Sequence, residues 1–134
     1  MTMEKLLFTV SWLGGWFMFL LGDWHVSLTV LFIFLIIGGV TAFFKAIIIR
    51  EINSHDAYKK IIKKIGIVLA IVVANLLDIL TGSEFLFRNM AIFFFVGLIG
   101  LEIIENFIIM GVPIPEPITK YLSQLTNKEN DENE

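Results

Sequence analysis

Two carboxylates and an amide interrupt an otherwise apolar stretch near the C-terminal end of the sequence. Glu102 and Glu105 are three residues apart, and Asn106 follows Glu102 by four, so a helix places all three on one face about 100° wide. Gly97 and Gly100 fall on the opposite face, where missing side chains permit close backbone contact. A charge at the centre of a membrane-spanning helix costs about 2.5 to 3.5 kcal/mol, so these polar residues are functional candidates.

Two other apolar segments carry small or polar residues at helical spacing. They are Gly38, Thr41, Ala42 and Lys45 in one segment, and Asn75 and Asp78 in the next. Each set follows one side of a helix. We therefore expect three helices to pack by these stripes and to leave their bulky apolar surfaces for lipid.

Depth along the helices suggests partners for the charged residues. At 1.5 Å per residue, Lys45 and Glu105 lie within a few ångströms of the same depth, so we expect them to pair. Asp78 lies near the opposite end of its helix, within reach of Arg88. Glu102 is left near mid-membrane without an obvious partner in its own chain, so it is protonated, bonded to another subunit or exposed to water.

Three roles for this polar set stay open. It is an internal cluster that fixes helix register, a face that lines an aqueous lesion or pairs across subunits, or a proton or cation site.

Enzyme chemistry has no support in the sequence. The serines have no positioned base, and the chain contains neither a phosphate-cradling glycine loop nor cysteine. His25 and His55 lie too far apart in the sequence to suggest a metal site. We expect no catalytic residues, cofactor or metal.

Composition identifies an integral membrane protein. Of 134 residues, 57% are hydrophobic and 17% charged, and thirteen are phenylalanine. Spanning the hydrocarbon needs about twenty helical residues, for which four segments compete: 6–21, 26–49, 61–80 and 90–112. The first, with Trp12 and Trp16 one turn apart, either spans or lies in the interface. We predict one all-α domain over 1–126 with three to four transmembrane helices.

The basic residues set the expected orientation. Five of them, Arg50, Lys59, Lys60, Lys63 and Lys64, cluster between the second and third segments. The positive-inside rule places this connection and the C-terminus in the cytoplasm, in a multi-pass protein of the cytoplasmic membrane. The lysines either set topology alone or also bind an anionic leaflet.

The last apolar segment ends in a proline-rich exit. Gly111, Pro113 and Pro115 lead the chain out of the helix and into an extended path. A short amphipathic helix is predicted over 117–126, docking on the membrane or on other copies of the chain. The acidic residues 127–134 have nothing to bury and are expected to form a flexible tail.

These residues together resemble the toxin-secretion/phage-lysis holin family. The likeness covers roughly 13–125, and the elements that carry it are Gly22-Asp-Trp24, Thr41–Ala46, Asn75–Asp78 with Thr81-Gly82, Arg88, and Glu102, Glu105-Asn106, Gly111 and Val112–Pro115. The last group is the most specific. Members often carry aspartate where this chain has Gly38 and glycine where it has Ala42, so a polar intramembrane contact common in the family is absent here.

The resemblance implies a protein that accumulates in the cytoplasmic membrane, forms homo-oligomers among lipids and opens non-specific lesions. Cargo, either an endolysin or a large toxin without a signal peptide, then passes without stable binding, and nucleic acid plays no part. Two alternatives remain: a small channel or transporter that uses the intramembrane acidic residues, and an antiholin that delays lysis.

Overall fold

Five helices make up the part of the chain that the computed structural model describes, residues 2–51 and 54–132. Those residues contain no strand. The helices are α1 (Met3–Leu21), α2 (Val26–Ile49), α3 (Ser54–Thr81), α4 (Leu86–Met110) and α5 (Glu116–Glu132). The first four are long and apolar enough to cross a membrane. The predicted all-α membrane fold is confirmed. The first segment, for which the sequence allows either a spanning or an interfacial position, forms the continuous helix α1.

Several helix boundaries differ from those expected, among them the start of α1 at Met3, the start of α4 at Leu86 and the two that follow. α3 begins at Ser54 and not at residue 61, because lysines are good helix formers whose long stems allow the helix to continue past the apolar run. α4 ends at Met110, where Gly111 adopts a φ of +86°. Its N–H donates to the Ile108 carbonyl at 3.1 Å, and that of Val112 to the Phe107 carbonyl at 2.8 Å. These bonds satisfy carbonyls at the helix end before the prolines begin.

α4 is the central helix. It packs against α2, α3 and α5, whereas α1 packs mainly against α3. The apolar core joins Leu28, Leu31 and Leu35 of α2, Ile67 and Ile71 of α3, and Ile92, Val96, Ile99 and Ile103 of α4. Most of α1 is exposed, with only Leu21 buried. Its broad apolar surface is therefore left for lipid.

α5 folds back along α4, antiparallel to it. A Cβ atom added to Gly100 would lie 2.8 Å from Leu122 Cδ2, and one added to Gly97 would lie 2.9 Å from the Leu122 carbonyl oxygen. Leu122 is itself buried. The close backbone contact expected at these glycines thus exists, and the helix that makes it belongs to the same chain.

α5 is also longer than expected. The sequence predicts a helix over 117–126 and a flexible tail over 127–134, but the helix continues to Glu132. Lysine and glutamate are good helix formers, a preference that the predicted flexible tail did not take into account. Residues 133 and 134 lie outside the described residues.

The α4–α5 contact is testable by cross-linking, because the natural chain contains no cysteine. A Cβ at position 97 would lie 2.8 Å from Leu125 Cβ, so a shift of about 1 Å gives the disulfide separation of about 3.8 Å. We expect the double variant Gly97→Cys/Leu125→Cys to form an intramolecular disulfide on mild oxidation, measured by mass spectrometry. Gly66→Cys/Leu125→Cys is the control, since nothing lies within 4 Å of a Cβ at Gly66. Equal cross-linking in both variants would contradict the packing.

Candidate functional site

The polar residues of the helices gather in two regions, one at each end of the bundle. We call the end with the α2–α3 connection the basic end, because Arg50, Lys59 and Lys60 lie there. The opposite end holds the α1–α2 and α3–α4 connections. The two regions have different chemistry.

At the opposite end, Asn75 and Arg88 bind the last carbonyls of α1. The Asn75 side-chain amide donates to the carbonyls of Phe19, at 3.2 Å, and Leu20, at 2.9 Å. Arg88 is 2% exposed, and its Nη1 donates to the Leu21 carbonyl at 2.9 Å and to that of Asp23 at 2.7 Å. The final carbonyls of a helix have no partners within it and attract positive charge. These two side chains therefore cap α1 and hold it to α3 and α4.

Asp78 performs the complementary role at the start of α4. One carboxylate oxygen accepts the Phe87 backbone N–H and the Ser83 hydroxyl, each at 2.8 Å. The other accepts the Arg88 backbone N–H at 2.9 Å. A carboxylate at a helix N-terminus satisfies unpaired N–H groups and complements the helix dipole.

The expected meeting of Asp78 and Arg88 is thus found, but through the Arg88 backbone N–H. Its guanidinium points instead to α1 and lies 3.9 Å from the centre of the Phe85 ring. Sequence reasoning missed both capping roles, because they depend on how the Thr81–Phe85 connection folds. The sequence signals that could have indicated these caps are the acidic Asp78 shortly before the connection and the basic Arg88 shortly after it.

Near the basic end, a polar contact joins α2 to α4. Asn106, which is buried, donates from Nδ2 to the Thr41 hydroxyl oxygen at 3.1 Å. The Thr41 hydroxyl in turn lies within hydrogen-bonding distance of the Ile37 and Gly38 carbonyls. The predicted stripes of α2 and α4 therefore meet here in part, through Thr41 and Asn106, while Glu105 of the same stripe is exposed.

The stripe on α2 divides between two neighbours. A Cβ at Gly38 would lie 3.5 Å from Ile99 on α4, so Gly38 and Thr41 share the α4 side. Ala42 and Lys45 instead line a cavity between α2 and α3.

Glu102, which lacked a partner in the sequence, lies close to lysines of α3. It lines a small cleft with Lys60, Lys63 and Lys64. The Lys64 ammonium donates to the Leu35 carbonyl of α2 at 3.2 Å, in a partly buried contact. A cation and a carboxylate thus lie near one another at similar depth.

The predicted pair of Lys45 and Glu105 is wrong for the single chain. Lys45 lines the α2–α3 cavity, whereas Glu105 is exposed on α4, and no hydrogen bond or ion pair joins them in the described residues. Matching depth is not enough for pairing, because angular position around each helix decides which neighbour a side chain meets. Glu105 is left facing outward.

Within residues 2–51 and 54–132, no group of three or more histidine or acidic side chains is placed to hold a metal ion.

Gly22 provides a test of the α1 cap. Its φ is +84°, and an added Cβ would lie 2.6 Å from both Arg88 Nη1 and Asn75 Oδ1. Backbone strain at a positive φ costs roughly 1 to 3 kcal/mol. We expect Gly22→Ala to lower the free energy of unfolding in micelles by more than this, because the added Cβ also displaces the capping side chains. Gly82→Ala shares the positive φ but has nothing within 4 Å, and Gly14→Ala is unstrained and uncrowded. Equal losses for Gly22→Ala and Gly82→Ala would show that the cap contacts contribute nothing.

The chain is similar in sequence to known proteins. The chain matches the bacteriophage holin family over residues 15–127. An uncharacterized 14.9 kDa protein from the nagH 3' region of Clostridium perfringens is 32% identical over 131 residues, covering 94% of this chain and 99% of the relative. An uncharacterized protein of Listeria innocua is 28% identical over 121 residues, covering 90% of this chain and 86% of the relative. No solved structure matches. Since the match runs from within α1 into α5, the chain belongs to the bacteriophage holin family.

Proposed function

We infer that the protein is a non-enzymatic permeabiliser that self-associates in the cytoplasmic membrane and opens lesions large enough for folded protein. Family membership supports this function. The observation that carries it is the outward-facing Glu105, one turn from the partly buried Glu102. At 1.5 Å per residue they lie about 8 and 12 Å from the end of α4. Carboxylates at such positions need water or another copy of the chain.

The arrangement of the single chain corresponds to a closed form, in which α5 blocks contact between copies. Its lesion-lining candidates on α4 are separated from the glycine face, which α5 covers. α5 is rich in charged residues, with Glu116, Lys120, Lys128, Glu129, Asp131 and Glu132 in its sequence. A charged helix transfers readily to water, so release of α5 is the step that frees Gly97 and Gly100 for close packing between copies.

Charge sets the proposed orientation. The basic end faces the cytoplasm, because basic residues near membrane-spanning helices favour that side. α5 then starts from the cytoplasmic surface, in contact with the compartment where an endolysin or a large toxin without a signal peptide accumulates. The cargo passes without a dedicated binding site.

The direct test is co-expression with a cytoplasmic muralytic enzyme. We expect abrupt lysis once the chain has accumulated in the membrane, together with release of a folded cytoplasmic reporter protein. Selective, saturable ion flux without reporter release would favour a channel or transporter. Delayed lysis in the presence of an active holin would favour an antiholin.

Removing one charge tests the role of the exposed carboxylate. Glu105→Gln keeps the size and hydrogen bonding of the side chain, so membrane insertion should be unchanged. Lesion formation should fall about tenfold or more, because the variant has no charged group that water in the lesion would stabilise. The measurement is release of dye from vesicles at matched protein content. Glu84→Gln, an exposed carboxylate in the α3–α4 connection, is the control and should behave as wild type. Unchanged release from Glu105→Gln would argue that the carboxylate is not exposed to a lesion.

Locking α5 tests the closed form. Oxidised Gly97→Cys/Leu125→Cys should reach the membrane but release no reporter, and a reductant should restore release to the level of the Gly97→Cys single variant, which carries the same side chain at position 97. Full activity of the oxidised protein would contradict the requirement for α5 release.

A further inference from the structure

A cavity between α2 and α3 at the basic end has no role in lesion formation as proposed above. Its volume is about 460 Å³. The residues around it are Gly39, Ala42, Phe43, Lys45, Ala46, Ile49, Glu51, Asp56, Ala57, Lys60, Ile61 and Lys64. Charged groups and large apolar side chains thus share one cavity, which is the combination that an amphipathic ligand requires.

The charges are ordered by depth. Glu51 and Asp56 flank the α2–α3 connection at the mouth. Lys45 lies about 6 Å inside the end of α2, and Lys60 about 9 Å inside the start of α3. Lys64 is deeper, about 15 Å from the start of α3. Two carboxylates at the surface therefore lie above three ammonium groups, an excess of one positive charge within the cavity. Glu102 lies in the adjoining cleft, where Lys63, which does not line the cavity, adds a further positive charge to balance it.

Gly39 keeps the floor of the cavity open. A Cβ there would lie 2.9 Å from the Lys64 ammonium nitrogen, which is itself bonded to the Leu35 carbonyl. A side chain at this position would displace the ammonium group. The glycine thus allows a cation at a depth where lipid alone would not solvate it.

The apolar wall identifies a ligand with acyl chains. Phe43, Ile49 and Ile61 are large apolar residues that remain 59%, 42% and 57% exposed in the single chain. They continue from the cavity onto the outer surface of the bundle. Free phosphate would leave this wall uncovered, whereas a phospholipid would cover it.

We propose that this cavity binds one phosphatidylglycerol molecule, with its phosphodiester among Lys45, Lys60 and Lys64. The head-group hydroxyls donate to Glu51 and Asp56 at the mouth, and an acyl chain lies along Phe43. Its single negative charge balances the excess positive charge of the cavity. The other two common phospholipids fit less well. Phosphatidylethanolamine is neutral overall and does not balance the excess positive charge, and the head group of phosphatidylcholine has no hydrogen-bond donor for Glu51 and Asp56. The inference rests on membrane insertion and not on lesion formation.

Lipid binding by the full-length chain in detergent tests the proposal. Phosphatidylglycerol, phosphatidylethanolamine, phosphatidylcholine and inorganic phosphate are titrated separately, and bound ligand is counted by native mass spectrometry. We expect one saturable phosphatidylglycerol, held at least about tenfold more tightly than either phosphatidylethanolamine or phosphatidylcholine, and no competition by millimolar inorganic phosphate. Equal retention of the phospholipids would overturn the proposal, and so would displacement by phosphate alone.

A matched pair of variants separates the cavity from general surface charge. Lys45→Gln/Lys60→Gln removes two cavity ammonium groups and should weaken phosphatidylglycerol binding by about tenfold or more. Lys59→Gln/Lys63→Gln removes the same charge from the same end but from positions outside the cavity, and should bind like wild type. Equal weakening of phosphatidylglycerol binding in both variants would show that the lipid is held only by non-specific attraction to surface charge, and not in the cavity.

A steric variant leaves every charge in place. Ala46→Phe fills the cavity from α2 and should also abolish the saturable binding, with helix content checked by circular dichroism. Retained binding in this variant would overturn the site. If a variant loses its helix content, the preference of the wild-type chain for phosphatidylglycerol over phosphatidylcholine still decides the question. Because binding is measured without lesions, a chain that binds lipid but fails to lyse cells would contradict only the proposed function.

Discussion

Polar groups within membrane helices must find partners inside the protein, because hydrocarbon offers them none. This constraint explains the arrangement at the end of the bundle opposite the basic residues. There Asn75 and Arg88 satisfy the last carbonyls of α1, and Asp78 satisfies the first N–H groups of α4. One polar cluster thereby fixes three helices to one another. Without it, α1 would have little to hold it, since nearly all of its surface is exposed.

The same constraint explains the central position of α4, because residues on its different sides contact different helices. Asn106 bonds to Thr41 on α2, Glu102 lies near the lysines of α3, and the glycine face receives α5. Glu105, by contrast, is exposed on the outer surface of α4. The bundle therefore has a reason to assemble, since a carboxylate exposed to hydrocarbon needs water or another copy of the chain.

Sequence reasoning predicted the helices and their polar stripes well, because hydropathy and helical spacing are local properties. It also identified Gly97 and Gly100 as a site of close helix contact, although not that α5 makes it. Its failures are of another kind. The Lys45–Glu105 pairing required the rotation of each helix, and the caps formed by Asp78 and Arg88 required the path of a connection. Both are set by packing of the whole bundle, which spacing within one helix does not contain.

The central claim is that the outward carboxylate face of α4 meets water when copies assemble. Glu105→Cys supplies a single thiol in a chain without cysteine, and Val73→Cys supplies one on the exposed apolar surface of α3. Each variant is co-expressed with an excess of wild-type chain, which keeps the Glu105 carboxylate that lesion formation requires. Labelling by a membrane-impermeant thiol reagent is followed before and during permeabilisation. The account predicts rapid labelling at position 105 only once permeabilisation begins, and none at position 73. A thiol at 105 that stays unlabelled while the membrane leaks would contradict it.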